Sequence, residues 1–237
     1  MKVAVCGSSG KMGRLVVGAA VEAGHTVVSQ IDRKSDISAC ISGGIDVCID
    51  FSSPGGAVGL CTVAAGLRVP VVTGTTGLSD LDLDAIKRCA ESTPILMSSN
   101  FSIGVHVLRK LVREAVATLP VDFDVEIIEK HHTGKKDAPS GTALAILDDI
   151  KRSGRPVREV FGRSGKSVHV PGEVCIHAVR GGDCVGEHEV FFFGNGERIE
   201  VVHRATDRAI FARGAIVAAE RFYKIRIPGM YTLADVV

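Results

Sequence analysis

Short apolar runs alternate with helical periodicity through the first hundred residues. Residues 3–6, 26–31, 46–51, 69–74 and 94–98 are β-branched or apolar and are bounded by Gly, Pro or Ser, the pattern of strands covered on both faces. From Lys11 onward Met12, Leu15, Val16, Ala19, Ala20 and Ala23 recur at three- and four-residue spacing, and Gly24 follows as a terminator. A second helix is expected after Ser53-Pro54, where proline suits a first turn, and it ends near Gly66. A third begins at Ser79, with Asp82 completing a capping-box pattern and Lys87 and Arg88 near its end. This alternation predicts a doubly wound α/β domain, Rossmann-like, in which helices cover both faces of a parallel sheet.

Residues 102–119 read as another helix, with Val105, Leu108, Leu111, Val112, Ala115, Val116 and Leu119 on one stripe. Beyond it the texture changes. Residues 124–130, 168–180, 185–193 and 198–205 are longer strand-like segments, and Gly194-Asn195-Gly196 between the last two is a hairpin signal. A helix over about 140–152 interrupts the series, so the second domain is expected to be α+β with a mixed, open sheet. Residues 208–222 return to helical spacing, and this tail is expected to pack back on the first domain. The expected division is 1–102 with 208–237, and 103–207.

Composition narrows the classes. A chain of 237 residues holds one large or two modest domains with real cores, which excludes a disordered chain or a stapled miniprotein. Against 28 basic side chains stand 27 acidic ones, so there is no electrostatic footprint for nucleic acid, which is not an expected partner. The uncharged run 51–67 contains Pro54, Gly55, Gly56 and Gly59 and falls short of a bilayer span of about 20 residues. The amino terminus lacks the apolar length of a secretory signal. Seven cysteines, without a Cys-x-x-Cys pair, argue against a disulfide framework and a zinc site. A cytoplasmic chain with free thiols and no membrane contact is expected.

Candidate chemistry starts at Gly7-Ser8-Ser9-Gly10-Lys11-Met12-Gly13, where a strand enters a glycine loop that opens a helix. Such a loop lets backbone amides approach a pyrophosphate, although Ser9 stands where the dinucleotide fingerprint has its second glycine, and alone the loop also fits a structural turn. Asp32 ends the second strand nineteen residues after Gly13, the position of an acid that hydrogen-bonds adenosine ribose. Together the two features point to a nicotinamide dinucleotide. Arg33 and Lys34 follow. A unit charge pair at about 4 Å and an effective dielectric near 20 is worth about 4 kcal/mol, so repulsion of a 2′-phosphate by Asp32 and attraction by Arg33 roughly cancel. Binding of both NADH and NADPH is expected, with a solvated surface as the other reading of Arg33 and Lys34. Gly74-Thr75-Thr76-Gly77 and Ser98-Ser99-Asn100-Phe101 follow the fourth and fifth strands, where loops line the ligand crevice of an open sheet or serve as plain turns.

The second cluster runs from Glu129 to Ala143. His131, His132, Lys135 and Lys136 lie beside Ser140, a plausible helix cap, and the amides of Gly141 and Thr142. This set suits an acidic substrate and proton donation near neutral pH, the alternative being a basic surface loop with an ordinary cap. A metal site is not favoured. Histidines 25, 106, 169, 177, 188 and 203 are scattered and read as structural.

These residues together resemble the 4-hydroxy-tetrahydrodipicolinate reductase (dihydrodipicolinate reductase) family over nearly the whole chain. The resemblance rests on Gly-x-x-Gly-Lys-Met-Gly at 7–13, Ile49-Asp50-Phe51-Ser52, Gly74-Thr75-Thr76-Gly77, Asn100-Phe101-Ser102-Ile103-Gly104-Val105 and Val185-Gly186-Glu187-His188. Its most specific part is His-His-x-x-Lys-x-Asp-Ala-Pro-Ser-Gly-Thr-Ala from His131 to Ala143. The resemblance implies NAD(P)H-dependent reduction of the dehydrated form of 4-hydroxy-tetrahydrodipicolinate to tetrahydrodipicolinate in the lysine and diaminopimelate route. Hydride goes to ring carbon 4 and a proton to the neighbouring carbon. By the family's pattern His131 is the acid/base and Lys135 the proton donor, while His132, Lys135, Ser140, Gly141, Thr142 and Thr76 hold the cyclic dicarboxylate. Contacts to NADH or NADPH carry over to Gly7, Ser8, Ser9, Gly10, Lys11, Met12, Asp32, Arg33, Phe51, Gly74, Thr75, Thr76, Ser98, Ser99, Asn100 and Phe101; no metal is implied. A homotetramer built through the second domain's sheet, and closure of the two domains around the ligands, are implied as well. Two departures stand out: Lys11 replaces an arginine common in the family, and the short segment 33–45 truncates the second crossover helix and opens the adenosine pocket. Rival readings are a dehydrogenase of acyclic amino or hydroxy acids and a noncatalytic nucleotide sensor. The His-His-Lys run with its Ser-Gly-Thr helix entry weighs against the first, and the lack of a basic helix against the second.

Overall fold

Glycine loops and capped helices punctuate the first hundred residues at the expected places. In the computed structural model, which describes residues 1–41 and 43–237, these residues form β1 (Lys2–Cys6), α1 (Lys11–Glu22), β2 (Thr26–Ile31), α2 (Ile37–Cys40), β3 (Val47–Asp50), α3 (Pro54–Leu67), β4 (Val71–Thr73), α4 (Asp80–Ala90) and β5 (Pro94–Met97). Ser53 caps α3 with Pro54 at its first turn, and Ser79 and Asp82 form a reciprocal capping box on α4. The crossover between β2 and β3 is short, as expected. Among the described residues its helix is the four-residue α2, capped by Asp36; Ser42, also within the expected short segment, lies outside the described residues.

The chain continues through α5 (Ile103–Thr118), β6 (Asp124–His131), α6 (Gly141–Arg152), β7 (Arg158–Phe161), β8 (Glu173–Arg180), β9 (Gly186–Gly194) and β10 (Glu197–Ala205), and then through α7 (Ala209–Phe222), β11 (Gly229–Tyr231) and a 3-10 turn (Leu233–Asp235). It divides into one unit of Met1–Ile103 with Ala209–Val237 and another of Gly104–Arg208.

The first unit is a six-stranded sheet in the order β11-β5-β4-β3-β1-β2, parallel throughout. Strands buried on both faces explain why its sequence runs are continuously apolar. On one face Val3, Val5, Val47, Ile49, Val72 and Leu96 pack with α1 and α7; on the other Ala4, Cys48, Val71 and Ile95 pack with α3 and α4. Strand order reverses between β1 and β3, so the crevice of an open α/β sheet is expected beyond their carboxyl ends.

The second unit is a mixed sheet in the order β10-β9-β6-β8-β7, in which β9 runs antiparallel to β6 and β10 while β6, β8 and β7 are parallel. Alternation along β6 buries Val125, Ile127, Glu129 and His131 and leaves the residues between them half-buried. Val125 and Ile127 join Leu108, Val112 and Val116 of α5 and Ile146 and Ile150 of α6 in a single core. Two expectations shift here. The strand expected from 168 starts at Glu173, because Pro171 lacks a donor and Gly172 turns the chain at φ +83°. The edge strand β7 was not expected, since its four residues carry no alternation to betray it.

Candidate active site

The loop after β1 carries the first candidate cluster, within the first unit. Gly7 sits at φ +79°, and a Cβ on Gly13 would lie 2.0 Å from the Gly7 carbonyl oxygen, so α1 can start hard against the turn only with glycine at both positions. Gly10 caps α1 without any side-chain bond, unlike Ser53, Ser79 and Ser140 at α3, α4 and α6. The opening amides of α1 therefore remain for an outside anion.

Beside this loop lies a cleft of about 830 Å³ lined by Gly7, Ser9, Gly10, Asp32, Arg33 and Phe51 from the expected set. The Asp32 carboxylate accepts from the Lys34 N–H at 2.9 Å and from the Ser35 hydroxyl at 3.2 Å, and these bonds hold its pKa below the ordinary value. An uncapped helix start for a pyrophosphate and an exposed, ionised acid for a ribose at the same cleft fit a dinucleotide.

Ser35, Ile37, Ser52, Ser53, Gly55 and Gly56 also line the cleft but were not expected there. The signal for the last four was present in Ser52-Ser53-Pro54-Gly55-Gly56, a second glycine-rich helix start beyond a strand that neighbours β1.

Other expected cofactor residues fall outside that lining. Lys11 is exposed on the first turn of α1, and Met12 is half-buried against the core. Ser8, Thr75 and Phe101 are buried: Ser8 Oγ donates to the Ile31 carbonyl, Thr75 Oγ1 to Asp50, and the Phe101 ring packs in the core 5.8 Å from that of Phe51. Their side chains serve the interior. Gly74 bonds to the Asp50 carbonyl and Thr76 is exposed, both beyond β4. Beyond β5, Ser98 donates to the Asn100 carbonyl at 2.7 Å, Ser99 is exposed, and Asn100 Oδ1 accepts from the Ser102 N–H.

The second candidate cluster lies within the second unit. β6 runs one residue further than expected, to His131, which is buried and pairs in register with Arg180 of β8; Glu129, two residues earlier on the same face, pairs with His188 of β9. His131 Nδ1 lies 2.5 Å from Glu129 Oε2, and Arg180 grips both oxygens of Glu129 at 2.8 Å. Burial opposes ionisation of Glu129, but the bonds from Arg180 and His131 outweigh it and hold its pKa below the usual carboxylate value. Burial lowers the pKa of His131 and, reinforced by Lys135 and Arg180, prevails over the pull of Glu129.

His132 is half-buried, and its carbonyl accepts from the Lys135 N–H in the following turn. Lys135 Nζ pairs with Asp137 at 2.9 Å. Gly141 and Thr142 open α6, capped by Ser140, whose Oγ accepts from the Ala143 N–H. Ser140 is itself spent within the protein: its N–H donates to Glu129 and its hydroxyl lies 3.2 Å from His188 Nε2. Thr76, expected among the substrate contacts, belongs to the first unit.

Sequence reasoning overlooked Glu129, Arg180 and His188. The His188 ring, read from the sequence as structural, is buried and meets that of His131 edge to face at 5.3 Å. Burial foremost, and then the charge of His131, push its pKa down to about 3. On the opposite face of the same sheet Glu126, Cys175 and His177 bring three donor atoms within 4.8 Å of one another, and Arg163 already supplies Glu126 with a cation at 2.7 Å.

Profiles described as dihydrodipicolinate reductase, N-terminus and C-terminus, match residues 1–101 and 104–237. The chain belongs to the dihydrodipicolinate reductase family. As a member it is an oxidoreductase. It is 42% identical to the 4-hydroxy-tetrahydrodipicolinate reductase of Archaeoglobus fulgidus, over 99% of each chain, and 38% identical to that of Clostridium botulinum, over 100% of this chain and 98% of the relative. The dihydrodipicolinate reductase of Paenisporosarcina sp. TG-14, solved with dipicolinate bound, superposes with a TM-score of 0.79 at 25% identity, covering 100% of this chain and 99% of that one. Among the described residues no helix is long and apolar enough to cross a membrane.

Proposed function

We propose that the chain reduces the dehydrated form of 4-hydroxy-tetrahydrodipicolinate to tetrahydrodipicolinate, a step of lysine and diaminopimelate synthesis, with NADH or NADPH as reductant. The observation that carries this reading is His131, buried at the end of β6 with Nδ1 engaged by Glu129, in the same short segment as Lys135 and the start of α6. The nicotinamide, when bound, supplies the hydride. The chain's own residues bind and orient the ring and manage the proton.

Two carboxylates on a planar ring call for cationic and amide donors. His132, Lys135 and the opening amides of α6 are such a set, and Ser140 holds that helix start in place. Lys135 is the proton donor and His131 the acid/base group. His131, held neutral by its surroundings, can accept and return a proton near neutral pH. The first unit binds the dinucleotide: the glycine loop takes the pyrophosphate, Asp32 the adenosine ribose, Arg33 a 2′-phosphate, and the loops beyond β4 and β5 the nicotinamide end.

The protein acts as a cytoplasmic homotetramer assembled through the open face of the second unit's sheet. Stacked Phe191 and Phe193 and exposed Val179 and Val202 add apolar area to that face among its ion pairs, such as those of Lys130 with Glu187 and Glu189. The test is a coupled assay that supplies the condensation product of pyruvate and aspartate semialdehyde with each reduced cofactor in turn, compared with acyclic oxo acids, alongside light scattering for the assembly. Oxidation of cofactor by the cyclic substrate alone is expected. Equal or faster turnover of an oxo acid overturns the reading.

A further inference from the structure

We propose that Glu129 is a positioning residue for His131: it fixes the imidazole tautomer so that Nε2 meets the substrate, and Arg180 holds Glu129 in the attitude that does so. The inference rests on the reduction proposed above and adds a residue pair to it.

The geometry leaves Glu129 one role. Its side chain is 0% exposed, and each oxygen receives two donors: Oε2 takes His131 Nδ1 at 2.5 Å and Arg180 Nη1 at 2.8 Å, while Oε1 takes Arg180 Nη2 at 2.8 Å and the Ser140 N–H at 3.0 Å. An ionised carboxylate only accepts, so the ring must carry its hydrogen on Nδ1. Nε2 then bears the lone pair of the neutral imidazole. Among the described residues no protein group bonds to that nitrogen, and a Cβ on Gly186 would stand 3.0 Å from it, so glycine there keeps Nε2 uncrowded.

Arg180 joins this unit to the loop that follows. Its Nη2 also donates to the Asp137 carbonyl at 2.7 Å, and the Asp137 carboxylate pairs with Lys135. One guanidinium thus ties the strand that carries His131 to the loop that carries Lys135. A simple ion pair would satisfy Glu129 with the arginine alone; bonds to the ring and to the Ser140 cap as well set His131 and the α6 start against one another. The charged or titratable groups around His131 are Glu129 from its own strand, Lys135 from the next loop, Arg180 from β8 and His188 from β9.

The test labels histidine with ¹⁵N in the full-length protein and reads the tautomer of His131 by imidazole NMR, with assignment from a His131→Asn spectrum. Wild type should show hydrogen on Nδ1. Glu129→Gln should move the ring toward hydrogen on Nε2, lower kcat by about a hundredfold or more, and leave dinucleotide Kd within about twofold. The limb of the kcat/KM profile set by His131 should move to lower pH, because the carboxylate that favours the imidazolium is gone. Arg180→Lys, which keeps charge but not the fork, should lose less than Glu129→Gln. Hydrogen on Nε2 in wild type, or unchanged kcat and pH profile in Glu129→Gln, overturns the assignment. If Glu129→Gln does not fold, the wild-type tautomer still decides. That measurement needs no substrate, so failure of the cyclic imine to turn over would reject the reaction and leave this assignment standing.

Discussion

Thr75 Oγ1 donates to Asp50 Oδ2 at 2.7 Å, joining the loop beyond β4 to the end of β3 through a carboxylate that is 0% exposed. Thr73 Oγ1 donates to the same oxygen, and Ser52 donates to Oδ1 through its hydroxyl at 2.5 Å and its N–H at 3.1 Å. Asp50 is thus the knot that shapes two loops at the carboxyl edge of the parallel sheet. Asp50→Ala strands these donors, and each one left unsatisfied costs about 1–3 kcal/mol unless water replaces the carboxylate. We expect a fall of about 2–4 kcal/mol in stability by urea unfolding and weaker dinucleotide binding by titration. Unaltered affinity in a destabilised variant would show that the knot serves folding alone.

Lys135 is half-buried and paired with Asp137 at 2.9 Å, and the proposed function has it bind a substrate carboxylate in place of that partner. A charge-assisted hydrogen bond is worth about 1.5–3 kcal/mol, so Lys135→Ala should lower kcat/KM by about tenfold to more than a hundredfold. Dinucleotide Kd should not change. Parent-like kinetics would remove Lys135 from the reaction.

The parallel sheet was legible because burial on both faces leaves continuous apolar runs between glycine turns, and the basic cluster because His131 to Thr142 is one contiguous strand, loop and helix start. What stayed hidden depends on register. Glu129, Arg180 and His188 are single polar residues on three strands, each of which reads alone as part of a solvated face. Only the pairing of His131 with Arg180, and of Glu129 with His188, brings them to one buried place. One local hint existed: Glu129 and His131 are two apart, hence on the same face of any strand. The short α2 and the edge strands β7 and β11 carry too few residues for a period to emerge.

Cofactor choice should turn on Asp32 and Arg33, neighbours on the cleft wall with opposite charge. Asp32 is ionised and exposed, so its repulsion of a 2′-phosphate is screened but present. Asp32→Ser should raise the NADPH to NADH ratio of kcat/KM, and Arg33→Ser should lower it. Increasing salt should shrink both effects. Two variants that shift the ratio in the same direction would reject the opposition between these charges.

Acid should unfold the second unit through His188. This ring is 3% exposed, and its folded pKa, pushed down to about 3 by burial first and by His131 next, lies far below the ordinary value of 6.5. Glu129 on β6 pulls the other way, while His203 on β10 and Lys135 in the β6–α6 loop add to the depression. Between pH 6.5 and 3 the unfolded chain binds a proton that the native chain refuses, so native stability falls as pH falls through that window. At about pH 5 this single group should cost on the order of 2 kcal/mol. His131 acts in the same sense below its ordinary pKa. The depressed pKa of Glu129 matters further down, since that contribution is full above 4.5 and is lost as pH drops through the folded value. Urea midpoints between pH 7 and 5 should therefore decline in the parent and flatten in His188→Gln, whose amide can still reach Ser140 but takes up no proton. An equally steep decline in His188→Gln would mean that the native ring accepts a proton after all, and that its contacts with Ser140 and His131 rearrange to hold it.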